Sequence, residues 1–478
     1  MNQVITPTIG ARDLAKELGK PQPTDQQVDV IESELQPLLV VAGAGSGKTA
    51  TMTDRVVYLV ANGLVAPSEI LGLTFTRKAA SELQSRIERH LRSLARSGIV
   101  PAGTASAELG LIGSLTERPR ISTYNAYAAQ LVRDHGIRLG LENDQTLIGE
   151  AGRYQLASQV VESWAGDLDL ASAPITVVRA VVTLAGELAE HMLTPTQAKD
   201  QLLAIADELA DAAPIGKKKE PYAEVAKVIA SLRARASLIP LIEGFSAAKR
   251  ARGAMDFADQ VASAARLAAD FPVVAERERA TARVVLLDEY QDTSVAQLAM
   301  LRALFGDGHP VTAVGDPHQG IYGWRGASAG ALLSFPTQFP LASGEPAPVA
   351  HLTTSWRNDR AVLTAANVAS RALRAPDVAS NQPSAPNATQ AAPPSVKGGT
   401  LGSGGLPVAV DVPPLEARPD AGAGVVRWTF ADDAATEARA IAQALHTAWR
   451  PGQQTAAVLC RKRSQFEAIR EALLQRGL

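Results

Sequence analysis

A glycine-rich segment, AGAGSGKT at residues 42–49, contains the residue types that bind the phosphates of a nucleotide. Glycines at alternate positions let the backbone curl so that its N–H groups face phosphate oxygens. Lys48 would supply a positive charge to the β- and γ-phosphates, and the hydroxyl of Thr49 would bind Mg²⁺. The usual pattern begins with glycine, whereas this segment begins with Ala42. The residues expected to surround the nucleotide are Ala42, Gly43, Ala44, Gly45, Ser46, Gly47, Lys48, Thr49 and Ala50.

A second segment, VVLLDEYQD at residues 284–292, places two carboxylates directly after a short apolar run. The run predicts a buried parallel strand, and the C-terminal ends of such strands face the ligand crevice. Asp288 would therefore hold Mg²⁺, directly or through water, and Glu289 would orient and deprotonate an attacking water. Alone, such residues could simply cap the next helix. Together with the glycine-rich segment, they indicate an enzyme that hydrolyses a nucleoside triphosphate.

The elements around these two segments predict an α/β fold with a parallel sheet. Short apolar and β-branched runs are typical of buried parallel strands, and they occur at residues 36–42, 70–75, 283–288 and 310–315. Apolar residues at helical spacing over 48–63 and 78–97 predict helices that cover the sheet. We therefore expect a first P-loop domain formed by residues 1–136 and 251–350.

The intervening residues 137–250 differ, because they are rich in Ala and Leu at helical spacing. They predict a helical insertion into the first domain. Within them, GKKKE at 216–220 is typical of a solvated turn, with phosphate contact as the alternative. Residues 375–424 are rich in Pro, Ala, Ser and Gly, which predicts a flexible segment.

The C-terminal part of the chain returns to an alternating pattern. VVRWTF at 425–430 and TAAVLCR at 455–461 predict strands on either side of an Ala-rich helix at 431–449. This order indicates the start of a second α/β domain within residues 351–478. We expect that second domain to be incomplete, and the chain to be the N-terminal part of a longer protein.

Bulk composition limits the function classes. A formal net charge of −2 and a pI of about 6.4 argue against binding nucleic acid through overall charge, so any DNA contact requires a local groove. The single cysteine, Cys460, excludes an intrachain disulfide and a cysteine-based metal cluster. The sequence shows neither a signal peptide nor a long apolar run, so we expect a cytoplasmic protein with no membrane span.

Seven segments in order resemble the UvrD/Rep/PcrA-like superfamily of DNA helicases. They are PTDQQVDVI (23–31), LTFTRKAASELQSRI (73–87), ISTYNAYA (121–128), MDFADQ (255–260), LLDEYQDTS (286–294), VGDPHQGIYGWRGAS (314–328) and LTTSWRND (352–359). The resemblance covers about three quarters of the chain and implies RecA-like domains. Within the superfamily, STYNAYA and GDPHQGIYGWRGASAG are most similar to actinobacterial helicase–nuclease subunits that resect double-strand breaks.

The resemblance implies roles for residues around the nucleotide. Gln27 would read the adenine, and Trp356 would stack on it where the superfamily usually has Tyr. Arg357 would act as an arginine finger at the γ-phosphate, reaching over from the second domain. Gln319 would sense the γ-phosphate and relay its presence to DNA. Ala50 stands where the superfamily often has an Arg that packs on adenine, so one face of the base loses a partner.

The resemblance also implies a path for single-stranded DNA. Stacking of bases on aromatic rings tolerates any sequence, which suits a motor that moves along DNA. Packing in the protein core is the alternative for the two aromatic residues of the loop GIYGWRG. Hydroxyls, amides and Arg at strand ends would contact phosphates, although such hydroxyls are more often turn formers. The expected DNA-binding residues are Thr74, Phe75, Thr76, Arg77, Thr123, Tyr124, Asn125, Tyr322 and Trp324.

The leading hypothesis is an ATP- and Mg²⁺-dependent DNA helicase that acts in DNA repair, with 3′→5′ polarity implied by the resemblance alone. It would bind single-stranded and duplex DNA. An alternative is the motor subunit of a helicase–nuclease complex, bound to a partner subunit. Another is a nucleotide-gated DNA-binding module with little turnover, because motifs V and VI of the superfamily are not found. A P-loop kinase or GTPase is disfavoured, since no guanine-reading NKxD motif is present.

Overall fold

The computed structural model describes residues 7–97, 117–142, 145–166, 173–212, 222–323, 329–373 and 410–478. These residues belong to two compact units. The larger unit lies within Met1–Arg357 and Ala369–Pro419, and the smaller unit comprises Asn358–Val368 and Asp420–Leu478.

The strands, in chain order, are β1 (Leu38–Ala42), β2 (Ile70–Thr74), β3 (Arg120–Thr123), β4 (Thr146–Leu147), β5 (Ala254–Met255), β6 (Val284–Leu287), β7 (Val311–Gly315), β8 (Val349–Leu352), β9 (Thr354–Ser355) and β10 (Glu416–Ala417). The helices are α1 (Ala11–Glu17), α2 (Asp25–Ile31), α3 (Lys48–Ala61), α4 (Arg77–Ser97), α5 (Tyr124–His135), α6 (Glu150–Glu162), α7 (Pro174–Glu190), α8 (Pro195–Asp211), α9 (Ala223–Ser237), α10 (Ile239–Ala251), α11 (Phe257–Asp270), α12 (Pro272–Thr281), α13 (Val295–Phe305), α14 (Ala329–Gln338), α15 (Arg360–Ala369), α16 (Ala434–Ala448) and α17 (Phe466–Leu474).

A six-stranded sheet forms the centre of the larger unit, in the order β3-β2-β6-β7-β1-β8. Every pairing in it is parallel. The four central strands are buried along their whole length, because helices cover both faces of the sheet. The α/β fold and the four strands expected from apolar runs are therefore confirmed, as are the helices that follow the first two of them.

Alternate side chains of β1 enter two separate hydrophobic cores. Leu39 and Val41 belong to one core, with β2, β6 and α11. Leu38 and Val40 belong to the other, with α3 and α4. This arrangement follows from the period of two in a strand, and it explains why β1 must be apolar at every position.

The segment expected to be a helical insertion is helical in its described residues. Helices α6 to α10 occupy most of it, and α6, α7 and α10 enclose a third core around Val181, Leu241 and Phe245. The short strand β4 pairs with β5, which was not expected. The lysine cluster at 216–220 lies outside the described residues.

In the smaller unit, the expected helix is confirmed as α16, but the two expected strands are wrong. Residues 425–430 and 455–461 have no ladder partner among the described residues and are irregular. Phe430 and Leu459 are 99% and 95% exposed. A β-branched run becomes a strand only when a neighbour pairs with its backbone, and the pattern of the run itself does not supply one. Of the expected flexible segment, residues 374–409 lie outside the described residues.

A buried ion cluster joins the helical segment to the start of α11. The Lys249 Nζ lies 3.2 Å from Asp256 Oδ2 and 2.5 Å from Asp259 Oδ2. Arg153 Nε lies 3.1 Å from the same oxygen of Asp256. Asp256 also caps α11, in a reciprocal capping box with Asp259. Two cations from α6 and α10 thus neutralise two carboxylates of a helix that packs on the central sheet.

We predict that Lys249→Met destabilises the protein by about 3–5 kcal/mol, because it removes the buried cation that Asp256 and Asp259 share. Urea unfolding followed by circular dichroism measures the change. Lys227→Met is the matched control, since Lys227 lies on α9 and is exposed. Equal unfolding midpoints for the two variants would show that the cluster contributes no net stability.

Candidate nucleotide and DNA site

The glycine-rich loop runs from the end of β1 to the start of α3, and two of its glycines adopt left-handed backbone. Gly45 has φ 78° and Gly47 has φ 87°. A Cβ on Gly45 would lie 2.7 Å from Arg357 Cβ, and one on Gly47 would lie 2.9 Å from Gln27 Nε2. Backbone conformation therefore favours glycine at both positions, and lack of space also requires it at Gly45. Gly47 caps α3 without any side-chain hydrogen bond, which leaves the first N–H groups of the helix for an anion.

A cavity of about 530 Å³ opens over this loop, a size typical of small-ligand sites. It is lined by Ala44, Gly45, Ser46, Gly47, Lys48, Thr49, Ala50, Arg86, Glu289, Gln319, Trp356 and Arg357. Three cationic side chains, from the loop, from α4 and from the segment after β9, thus meet at one cavity. Such a charge distribution suits a polyphosphate.

Lys48 is the cation at the base of the cavity. Its Nζ is buried and makes no hydrogen bond within the described residues, and the nearest carboxylate oxygen, Glu289 Oε2, is 3.6 Å away. The Ser46 hydroxyl is likewise buried without a partner there. Buried polar groups nearly always have partners, so these two are arranged for a ligand that brings its own oxygens.

The acidic pair lies at the C-terminal end of β6. Asp288 is buried, and the Tyr124 hydroxyl donates to its backbone carbonyl at 3.0 Å. Glu289 adopts left-handed backbone with φ 50°, an uncommon conformation for a residue with a side chain. This turn points the chain back toward the cavity, and Glu289 lines it.

The segment after β8 is bonded to the glycine-rich loop through its backbone. The Trp356 N–H donates to Gly45 O at 2.8 Å, and the Ser355 hydroxyl donates to Ala44 O at 3.0 Å. These bonds hold Trp356 and Arg357 at the cavity, within the same compact unit as the loop. Trp356 remains 44% exposed, so its ring is accessible to a ligand.

A second cavity, of about 240 Å³, adjoins the ends of β2 and β7. It is lined by Thr74, Phe75, Thr76, Ala79, Glu289, Gln291, Asp292, Gln319, Ile321 and Tyr322. The rings of Phe75 and Tyr322 stack on each other in it, with centroids 4.3 Å apart. Glu289 and Gln319 line both cavities.

The family model of the UvrD/REP helicase N-terminal domain matches residues 23–340. The chain belongs to the UvrD/REP helicase family. The ATP-dependent DNA helicase UvrD1 of Mycobacterium tuberculosis is 30% identical over 363 residues, which cover 73% of this chain and 40% of that protein. The ATP-dependent DNA helicase PcrA of Staphylococcus aureus is 27% identical over 342 residues, 72% of this chain and 39% of that protein. The chain thus spans about 40% of the length of these UvrD/REP relatives. Among the described helices, none is long and apolar enough to cross a membrane.

Several residues expected at the UvrD/REP site are placed differently from the sequence prediction. Gln27 adjoins the loop but is not among the residues that line the cavity, because its amide bonds Thr24 N and Ser46 O. Tyr124 is buried, so its ring supports Asp288 and is not presented to DNA. Thr123 caps α5, as turn-forming hydroxyls often do.

Other expected DNA residues lie at the surface or at the second cavity. Thr74 is buried and lines the second cavity, while Thr76 and Arg77 are exposed where α4 begins. Asn125 is exposed and accepts a hydrogen bond from Gln297 Nε2 at 2.9 Å. Trp324 lies outside the described residues.

Arg86 is a cavity residue that sequence reasoning missed. It lies on α4, next to the buried stripe of Leu83 and Ile87, and is itself half-buried. An Arg beside the apolar stripe of a helix that follows a sheet strand was the available signal. It was not distinctive, because α4 carries several other Arg residues on its solvated face.

The donor set fits Mg²⁺. The Thr49 hydroxyl and the carboxylate of Asp288 offer the hard oxygen ligands that this ion prefers. Among the described residues, no group of three or more His, Cys, Asp or Glu side chains could hold a metal. Mg²⁺ would therefore share its coordination with nucleotide phosphates, and would neutralise them when bound.

We predict that Mg²⁺-dependent nucleotide binding weakens as the pH falls through about 6. Burial, and then the neighbouring Glu289 carboxylate, raise the pKa of Asp288 to about 6. Only the ionised carboxylate binds the cation, so below that pKa each pH unit costs roughly tenfold in affinity. Titrating Mg²⁺ with a fluorescent ATP analogue between about pH 8 and about pH 5 measures this.

Asp288→Asn is the control for that titration, because it removes the titrating group and retains its shape. The variant should show only the pH dependence of the nucleotide itself. Identical pH profiles for the two proteins would contradict a role for Asp288 in holding Mg²⁺.

Proposed function

We propose that this chain hydrolyses ATP, with Mg²⁺, to move along single-stranded DNA and unwind duplex DNA. One observation carries the proposal: the nucleotide cavity and the aromatic cavity share two residues, Glu289 and Gln319. A group that touches both ligands can make hydrolysis depend on DNA. Membership in the UvrD/REP family and the helicase names of the relatives support it.

The chemistry of hydrolysis follows from the first cavity. The backbone N–H groups at the start of α3 and the charge of Lys48 would bind the β- and γ-phosphates. Glu289 would orient a water and accept its proton during attack on the γ-phosphorus. Arg86 and Arg357 would stabilise the negative charge that spreads over the phosphoryl oxygens. Mg²⁺, when bound, would neutralise the phosphates and orient them.

Movement along DNA would use the second cavity. A base inserted between or against Phe75 and Tyr322 would replace the contact that these rings now make with each other. Tyr322 follows Gln319 in the same loop, so a shift of that ring would reach the nucleotide cavity through a short stretch of backbone. Hydrolysis would then alternate with grip on the strand.

We further propose 3′→5′ polarity, a role in DNA repair and a cytoplasmic location. These three assignments rest on the resemblance to the UvrD/Rep/PcrA-like superfamily. The similarity of the segments STYNAYA and GDPHQGIYGWRGASAG to actinobacterial helicase–nuclease subunits supports assembly into a helicase–nuclease complex with a partner subunit. We also propose that residues 1–136 and 251–350 form the first RecA-like domain, that residues 137–250 form the helical insertion, and that residues 351–478 belong to a second RecA-like domain.

We predict that Lys48→Ala lowers ATP hydrolysis at least about a hundredfold, since it removes the charge that binds the phosphates. The substitution breaks no hydrogen bond, because the Nζ makes none within the described residues. Phosphate release with and without single-stranded DNA measures the effect. The exposed Lys199→Ala is the control. DNA-stimulated turnover that persists in Lys48→Ala would refute the site.

We predict that Tyr322→Ala weakens binding of single-stranded DNA by roughly 1–3 kcal/mol, the usual contribution of one base–aromatic stack. Fluorescence anisotropy of a labelled thymidine oligonucleotide measures this, in the absence of nucleotide. Tyr154→Ala, at an exposed tyrosine of α6, is the control and should bind normally. Unchanged affinity in Tyr322→Ala would exclude the second cavity from the DNA path.

A further inference from the structure

We infer that Gln291 is a positioning residue that makes the orientation of Glu289 depend on DNA in the second cavity. The inference rests on the proposed function, because it assumes that Glu289 orients the attacking water. No motif role was expected for Gln291 from the sequence. Its side chain is buried, at 2% exposure, and it lines the aromatic cavity.

Both ends of the Gln291 amide are used, and each bonds a different functional segment. The Nε2 donates to Glu289 Oε2 at 2.8 Å. The Oε1 accepts from the Asp316 N–H at 3.0 Å. One planar amide therefore connects the proposed base to the first residue of the loop after β7.

The position of the Glu289 carboxylate depends on a hydrogen bond from another side chain. Its left-handed backbone, with φ 50°, is not self-stabilising in a residue with a side chain. The ion-pair partner of its carboxylate, Lys48 Nζ, lies at 3.6 Å, beyond hydrogen-bond range. The bond from Gln291 is shorter and directional, so it decides where the carboxylate points.

The loop at the other end has one bond within itself and one further bond to the segment that carries Gln291. Asp316 Oδ2 accepts from Gln319 Nε2 at 2.6 Å, which places Gln319 between the cavities. Asp292 Oδ1 accepts from the Ile321 N–H at 3.2 Å, one residue before Tyr322. Displacement of Tyr322 by a base would pull on this loop, and Gln291 would transmit the movement to Glu289.

Space around the amide leaves little freedom for another arrangement. A Cβ on Gly315 would lie 2.7 Å from Gln291 Oε1, so the end of β7 must be glycine for the amide to fit. Because the amide is closely packed, a small shift of the loop after β7 cannot be absorbed locally and would move Glu289 as well.

The two functions of the amide can be separated by substitution. In Gln291→Glu the ionised carboxylate can still accept from Asp316 N–H, so the loop anchor is retained, but in that ionised form it cannot donate to Glu289. In Gln291→Leu both bonds are lost. Gln197→Glu is a matched control, since its side-chain oxygen only accepts bonds from Thr194 in the capping box of α8.

The test measures coupling by binding, so that it does not depend on turnover. Affinity for Mg²⁺·ADP and for Mg²⁺·ADP·AlF₄⁻, which mimics the phosphoryl group under attack, is measured with and without a thymidine oligonucleotide. We expect the oligonucleotide to tighten the AlF₄⁻ complex in the unmodified chain and in Gln197→Glu. In Gln291→Glu that gain, measured at saturating oligonucleotide so that a change in affinity for DNA does not enter the comparison, should fall roughly tenfold or more.

The alternatives are distinct. If Gln291→Glu retains the full gain while Gln291→Leu loses it, the residue only anchors the loop and the inference is overturned. A loss of ADP affinity in Gln291→Glu would assign the effect to added charge, which also overturns it. If the unmodified chain binds both ligands without any gain, there is no coupling for Gln291 to transmit. Absence of nucleotide binding, by contrast, would refute the proposed function as a whole.

Discussion

Parallel pairing of β1, β2, β6 and β7 is the constraint on which the site depends. Because these strands run in one direction, their C-terminal ends meet at one edge of the sheet. The glycine-rich loop follows β1, the acidic pair follows β6, and the loop that carries Gln319 follows β7. Phe75 follows β2 at the same edge. Residues as far apart in sequence as Lys48 and Gln319 are thereby brought to adjoining cavities.

The charged side chains at this edge of the sheet are not neutralised by one another in the protein alone. Lys48, Arg86 and Arg357 line one cavity, with Glu289 as its carboxylate. Burial raises the pKa of Asp288, which means that its charged form is poorly solvated in the protein alone. A cation would relieve the carboxylates and a polyphosphate would relieve the cations, so Mg²⁺ and nucleotide would each favour binding of the other. The helices that flank this edge pack in the two hydrophobic cores of the larger unit.

The sequence was sufficient for the four central strands because they are buried on both faces and therefore apolar without interruption. The glycine-rich loop was equally clear, since left-handed backbone at Gly45 and Gly47 demands glycine. The sequence-based prediction of strands was wrong for residues 425–430 and 455–461. There the apolar pattern describes the environment of the side chains and does not show that a pairing strand is present. The prediction also failed for Tyr124, because a motif position does not reveal whether an aromatic ring faces solvent or a backbone carbonyl. The role of Gln291 could not be predicted for a related reason. Its two bonds join Glu289 to Asp316, and α13 and β7 lie between these residues in the sequence.

The base of the nucleotide would meet an asymmetric environment. Trp356 offers a broad ring, held at the cavity by its backbone bond to Gly45 O. Ala50 stands where many UvrD/REP helicases are expected to carry an Arg, and its methyl group offers no flat surface for stacking. Gln27, the expected reader of adenine, already uses both ends of its amide within the protein. To bind the base it would have to exchange those bonds for new ones, at little net gain. Affinity in this chain would therefore come from the phosphates and from one aromatic face, and less from the edge of the base.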